Sequence, residues 1–216
     1  MNTRFACIVF LAACGSSGVL PLSASGEVTW KEPGPSDSIR RTMDDLLRIL
    51  TDETLRVPGR TATRRQALED LLRERVSYDE MAKRALGSQW TTLNERERSE
   101  FVNLFVELLR DSFANHVTDL VEDRVIYLGE QHYDPSFAEV HTQLMGPKLD
   151  TTVDFRMIRQ GHSWLVYDVV VEGTSLVYNY RAQFSRVIKE VSYPMLVRQL
   201  KERTLTLKRF ETASPR

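Results

Sequence analysis

Apolar positions recur along this chain with two different periods. From Asp37, the residues Ile39, Met43, Leu46, Leu47 and Leu50 return at spacings of three and four, which predicts a helix with one buried stripe, capped by Ser36 or Asp37. Pro58-Gly59 breaks the pattern. A second helical run spans about Thr61 to Arg75, with Ala67, Leu68, Leu71 and Leu72 on one side and charges elsewhere. Ser77-Tyr78-Asp79-Glu80 has the form of a capping box, and the short helix it opens should stop at Gly87. Leu93-Asn94-Glu95-Arg96-Glu97 then opens the longest helix, whose stripe is Phe101, Leu104, Phe105, Leu108, Leu109, Phe113 and Val117. That stripe is broad enough to face a large apolar surface.

Beyond it the period shortens. Val125 to Gly129, Phe137 to Met145, Thr151 to Gln160 and Ser163 to Glu172 are rich in Val, Phe, Tyr and Thr and predict four strands. Gly146-Pro147 and Gln160-Gly161-His162 supply tight turns, so the strands should form an antiparallel meander. Thr174 or Ser175 can cap a helix carrying Leu176, Val177, Tyr180, Phe184, Val187 and Ile188, and a last helix starts near Tyr193 with Pro194 in its first turn. Helices, a curved antiparallel sheet, then helices again make an α+β domain. The junction "YDVVVEGTSLVYNYRAQF", Tyr167 to Phe184, runs a strand into a helix with almost no loop. Periodicity alone reads its aromatics, and those of Phe101, Phe105 and Phe113, as core, though the wall of a container has the same pattern.

The first residues alter the domain count. A short basic start, the apolar run Phe5 to Ala13 and small residues up to Gly26 read as an export leader, too short in its apolar run to span a bilayer. Two cleavage routes are open: Leu11-Ala12-Ala13-Cys14 resembles a lipobox that would put a lipid on Cys14, and "LSASG" at Leu22 to Gly26 suits ordinary signal peptidase. Both export the chain. Residues 1–25 are therefore set aside as leader, 26–35 as a flexible linker rich in Pro, Gly and Ser, 36–205 as one folded domain, and 206–216 as a tail. The only cysteines, Cys7 and Cys14, fall in the leader, so the body has no disulfide and relies on its core. With 29 basic and 30 acidic side chains, no general field draws it to nucleic acid or to an acidic membrane.

Candidate chemistry is sparse. His116, His132, His141 and His162 lack the close pairing of most metal sites, although His132 and His141 could meet across a hairpin with Asp134. The body has no cysteine nucleophile, no phosphate-cradling glycine loop and no nucleophile elbow. Asp168 lies inside an apolar strand, where a carboxylate needs a cation or donors. It reads either as the base of a small α+β enzyme or as an ion-pair partner of Arg156, Arg159 or Arg181.

Three segments in order, "MAKRALGSQW" at Met81 to Trp90, "LNERERSEFVNLFVELL" after it and "WLVYDVVVEGTSLVYNYRAQF" near the end, together with "VDFR" at Val153 to Arg156, closely resemble the MlaC family, also called toluene-tolerance auxiliary proteins. The resemblance covers roughly Ser36 to Thr204. It implies a periplasmic, noncatalytic phospholipid carrier of a Gram-negative bacterium, exchanging lipid between an outer-membrane lipoprotein complex and an inner-membrane ABC transporter with a ring of MCE-domain subunits. It implies a twisted sheet of the nuclear-transport-factor or cystatin-like kind, wrapped by helices around a lipid cavity. No cofactor is implied, the phospholipid being cargo. On this reading the tails lie between the sheet and the Phe101 to Val117 helix. Val153, Phe155, Val166 and Val170 would contact them from the strands, and Leu86, Trp90, Phe101, Phe105, Leu108, Leu176 and Tyr180 from the helices, with Arg84 and Arg181 near the mouth. The segment "HYDPSFAEVHTQLMGPKLD" departs from the family pattern, and a lipid on Cys14 would make the protein a tethered acceptor instead of a shuttle.

Overall fold

The computed structural model describes residues 32–57, 59–113, 124–146 and 150–202, with backbone alone for 111–113. The leader and its cysteines, the linker up to 31, His116, Val117 and the 206–216 tail lie outside these residues. The elements run α1 (Pro35–Thr51), α2 (Glu53–Arg56), α3 (Thr61–Arg75), α4 (Tyr78–Leu86), a 3-10 stretch (Gly87–Thr92) and α5 (Glu95–Phe113). The sheet follows as β1 (Arg124–Asp134), β2 (Phe137–Met145), β3 (Asp150–Gln160), β4 (Ser163–Val171) and β5 (Thr174–Ser175), then α6 (Leu176–Glu190) and α7 (Tyr193–Lys201). The five strands are paired antiparallel in chain order, giving the expected α+β meander with one short strand more than the four predicted.

Local chemistry explains most boundaries. At α5, Asn94 and Glu97 cap reciprocally: the Asn94 N–H donates to Glu97 Oε2 at 2.9 Å, and the Glu97 N–H to Asn94 Oδ1 at 3.0 Å. Gly87 ends α4 at φ +60°, a conformation that L side chains adopt only with strain. The capping box expected at Ser77 does not form. Its N–H is instead committed to the Val166 carbonyl at 2.8 Å and its hydroxyl accepts from Gln160 at 2.9 Å, so the residue ties α4 to the sheet. β1 outruns its predicted end at Gly129 because Asp134 Oδ1 closes the hairpin, accepting from the Ser136 and Phe137 N–H groups at 2.6 and 2.9 Å.

Strand pairing sorts the side chains onto two faces. One face carries Ala138, Val140, Thr142, Val153, Phe155, Met157, Trp164 and Val166, packed around Ile39 of α1. The other carries Glu139, His141, Asp154, Arg156, Asp168 and Val170. A bulge decides the split on β4. Arg156 pairs with Asp168 while the next residue, Met157, pairs with Val166, so Tyr167 is an extra residue and the alternation flips across it.

On that second face α4 and α6 meet β4, while α5 and α7 pack outside them. The helical core is dense in rings: Phe101, Phe105 and Phe184 are each 0% exposed. Phe105 stands edge-on to Tyr180 and Phe184 at 5.3 and 5.9 Å, and Phe101 edge-on to Phe184 at 5.7 Å.

Candidate functional site

The strand-to-helix junction is anchored by side-chain hydrogen bonds on both sides of its turn. β4 ends at Val171, and the turn is made by Glu172 and Gly173, both in the left-handed region at φ 49° and 74°. The Glu172 carboxylate is held across the sheet by the Thr152 N–H and hydroxyl, at 2.5 and 3.0 Å, and this supports a conformation unusual for a non-glycine residue. Ser175 caps α6 by accepting from the Tyr178 N–H at 3.0 Å. Beneath it Asp168 accepts three hydrogen bonds, from Ser175 Oγ at 2.6 Å, the Val177 N–H at 3.0 Å and Arg156 Nη1 at 3.2 Å. Of the two readings of Asp168, the ion pair is the one formed, with Arg156. A carboxylate so occupied is poorly placed to abstract a proton.

The candidate lipid-contacting residues do not come together as one wall. Leu86, Phe101, Phe105, Leu176 and Tyr180 are buried in the helical cluster, with Trp90 and Leu108 half-buried against it. Val153, Phe155 and Val166 lie on the α1 face of the sheet. Val170 points to the α6 face, separated from Val166 by the bulge. On the second face of the sheet α4 and α6 contact β4, and α5 packs on α4 and α7.

Both apolar regions are ringed by half-buried side chains. Around Val153, Phe155 and Val166, the side chains of Met43, Val76, Tyr127, Leu144, Val169 and Val171 are only half-buried. Above them α1 is joined by α3, none of whose residues is fully buried even though Leu68, Leu71 and Leu72 form its stripe. A groove of about 450 Å³ between α5 and α7 is lined by Arg96, Ser99, Glu100, Asn103, Leu104 and Lys201, with Lys201 and Glu100 paired at 2.5 Å. It is open to solvent and ringed by charged side chains, so it does not enclose an acyl chain.

The polar groups of the α6 face form a connected patch. Arg156 Nε reaches Glu139 Oε2 at 3.4 Å, and the Tyr133 hydroxyl donates to the same oxygen at 2.5 Å. That hydrogen bond, with lesser help from desolvation and the Glu139 charge, raises the Tyr133 pKa. Arg84 pairs with Glu80 at 2.7 Å and lies over the Tyr167 ring at 4.2 Å, so it belongs to the packing of α4 on the sheet. Arg181 lies exposed over Gly87, where a Cβ would come within 2.9 Å of its Nε. His132 and His141 do not converge, because His132 pairs opposite Ala138 on the α1 face and His141 opposite Gly129 on the other. His141 instead meets Asp154 at 3.1 Å, and Glu139, His141 and Asp154 bring their ligand atoms within 4.8 Å of one another. Nothing in the local sequence pairs His141 with Asp154; strand register does.

The chain matches the family model described as MlaC protein over residues 40–202. Its fold is similar to that of a solved structure, the phospholipid-binding protein from Ralstonia solanacearum in complex with a phospholipid, with a TM-score of 0.69 at 24% sequence identity. That similarity covers 79% of this chain and 96% of the other. A comparison with curated proteins returned no match. With three quarters of its length inside the family model and its sheet, helix order and strand-to-helix junction built as the resemblance implied, the chain belongs to the MlaC family.

Proposed function

We propose that the protein is a noncatalytic phospholipid carrier whose acyl tails lie on the α1 face of the sheet, beneath α1 and α3. The observation that carries this reading is the apolar α1 face of the sheet bordered by α3, a helix with no fully buried residue, in a fold similar to that of a protein solved with phospholipid bound. Tails need a dry surface, since each buried methylene contributes about 0.8 kcal/mol and exposing two long chains would cost on the order of 20 kcal/mol. Val153, Phe155 and Val166 form the floor, and the half-buried residues around them form the margin that α3, loosely held, can uncover. Leu86, Phe101, Phe105, Leu176 and Tyr180 then act as the rigid core that holds the sheet's other face in place. The head group stays near water, where its phosphate keeps its hydration.

The protein works in the periplasm, reached through the leader. There it exchanges lipid with an outer-membrane lipoprotein complex and an inner-membrane MCE-type ABC transporter, and relative affinity sets the direction. With Cys14 lipidated, it would do so as a tethered acceptor. The test is lipid extraction from protein purified natively from cells, followed by mass spectrometry. Phospholipid should copurify with the wild type and with Phe105→Ala, and fall several-fold in Val169→Trp and Val171→Trp, which fill the margin of the α1 face. Wild-type protein free of lipid would overturn the carrier reading. Full loading of both tryptophan variants would overturn the assignment of the face.

A further inference from the structure

We propose that Glu139, His141 and Asp154 form a binding site for one divalent transition-metal ion, of which Zn²⁺ is the type, on the face of the sheet opposite the proposed lipid surface. The three side chains are fixed by backbone register: Glu139 and His141 are two residues apart on β2 and share a face, and Asp154 lies directly across from His141 on β3. Their ligand atoms lie within 4.8 Å of one another. His141 Nδ1 and Asp154 Oδ1 are 3.1 Å apart, close to the roughly 3.3 Å edge of a tetrahedron with ~2.0 Å metal–ligand bonds.

Glu139 is buried, and its contacts to Tyr133 and Arg156 both fall on Oε2, so Oε1 has a lone pair to offer. Those two contacts also orient the carboxylate, as outer partners of metal ligands do. The local charge is suited to a cation. Arg156 pairs with Glu139 and Asp168, Asp154 meets His141, and among these groups three carboxylates stand against one guanidinium, which leaves two negative charges for a divalent ion to neutralise, while Arg84 is matched by Glu80. Entry is open, because His141 and Asp154 are only half-buried. Opposite His141 on β1 stands Gly129, where a Cβ would meet nothing within 4 Å. One imidazole and two carboxylates suit Zn²⁺ and its neighbours in the first transition row better than Ca²⁺ or Mg²⁺, which favour oxygen alone.

The experiment is titration of the chelator-treated full chain with Zn²⁺ by calorimetry, and with Co²⁺ by visible absorption. Binding at one ion per chain is expected, with no thiolate charge-transfer band, since the ligands are nitrogen and oxygen. His141→Ala and Asp154→Asn should each weaken it tenfold or more while keeping the wild-type circular dichroism spectrum. His132→Ala and His162→Ala, which remove exposed histidines beside Glu130 and Glu32, should leave it unchanged. Absence of one-to-one binding to the wild type would overturn the proposal. So would unweakened binding in folded His141→Ala and Asp154→Asn, or a thiolate band placing the ion on Cys7 and Cys14.

Discussion

Replacing Asp168 by alanine tests whether the strand-to-helix junction is a structural anchor. The residue is 3% exposed and accepts three hydrogen bonds, one of them from the Val177 N–H in the first turn of α6. Alanine leaves that N–H without an acceptor at a helix end that supplies none of its own, and a stranded buried donor costs about 1–3 kcal/mol. The charge contributes less. Arg156 keeps Glu139 as a partner and its side chain is 38% exposed, so water screens what remains, and about 1 kcal/mol is expected in place of the ~3–5 kcal/mol of a fully buried broken pair. Ser175 still caps Tyr178. The sum is about 2–4 kcal/mol for Asp168→Ala, and about 1–2 kcal/mol for Asp168→Asn, whose amide oxygen can still accept from Val177. Urea unfolding followed by circular dichroism reads this directly: with a slope of about 1–3 kcal/mol/M, the alanine midpoint should fall by roughly 1–2 M at unchanged slope. An alanine midpoint within about 0.3 M of the wild type, or asparagine as damaging as alanine, would refute the reasoning.

Three further outcomes are expected. Phe105→Ala removes a fully buried ring that touches Phe101, Tyr180 and Phe184, and should cost about 3–5 kcal/mol in the same unfolding assay; a cost below about 1 kcal/mol would mean that the helical core is not close-packed. Gly87→Ala places a Cβ within 2.9 Å of Arg181 Nε at φ +60° and should cost about 1–2 kcal/mol, of which Arg181→Ala in the same chain recovers the steric part but not the backbone strain. Tyr193 is pushed up to about 12 from 10, first by desolvation and then by Glu97 and Glu100. Its raised folded pKa means that the stability it contributes is complete below pH 10 and is lost as pH rises toward 12, so Tyr193→Phe should flatten the alkaline fall of the urea midpoint across that window.

Much of the fold was legible in order and kind. The stripe of α1, the Asn94 cap, the stop at Gly87, the turn at Gly161 and the Ser175 cap are local chemistry, settled within a few residues, and each formed where the pattern placed it. Ser77 shows where that kind of reading fails. Its neighbours make a capping box, yet the hydroxyl and N–H were claimed by Gln160 and Val166, which are close only after the chain has folded.

By itself, the sequence determined the α+β class, the alternation of buried and exposed positions and the motifs of the MlaC family, because each depends on spacing along a helix or strand. Tertiary structure alone decided which face each valine of β4 serves. Strand alternation would put Val166 and Val170 side by side, but one extra residue in the β4 ladder, Tyr167, reverses the faces, sending Val166 toward α1 and Val170 toward α6. The same register brings Glu139, His141, Asp154, Arg156 and Asp168 onto one surface from three strands. No spacing rule encodes such a patch, since a bulge is a property of two strands paired and not of either one alone.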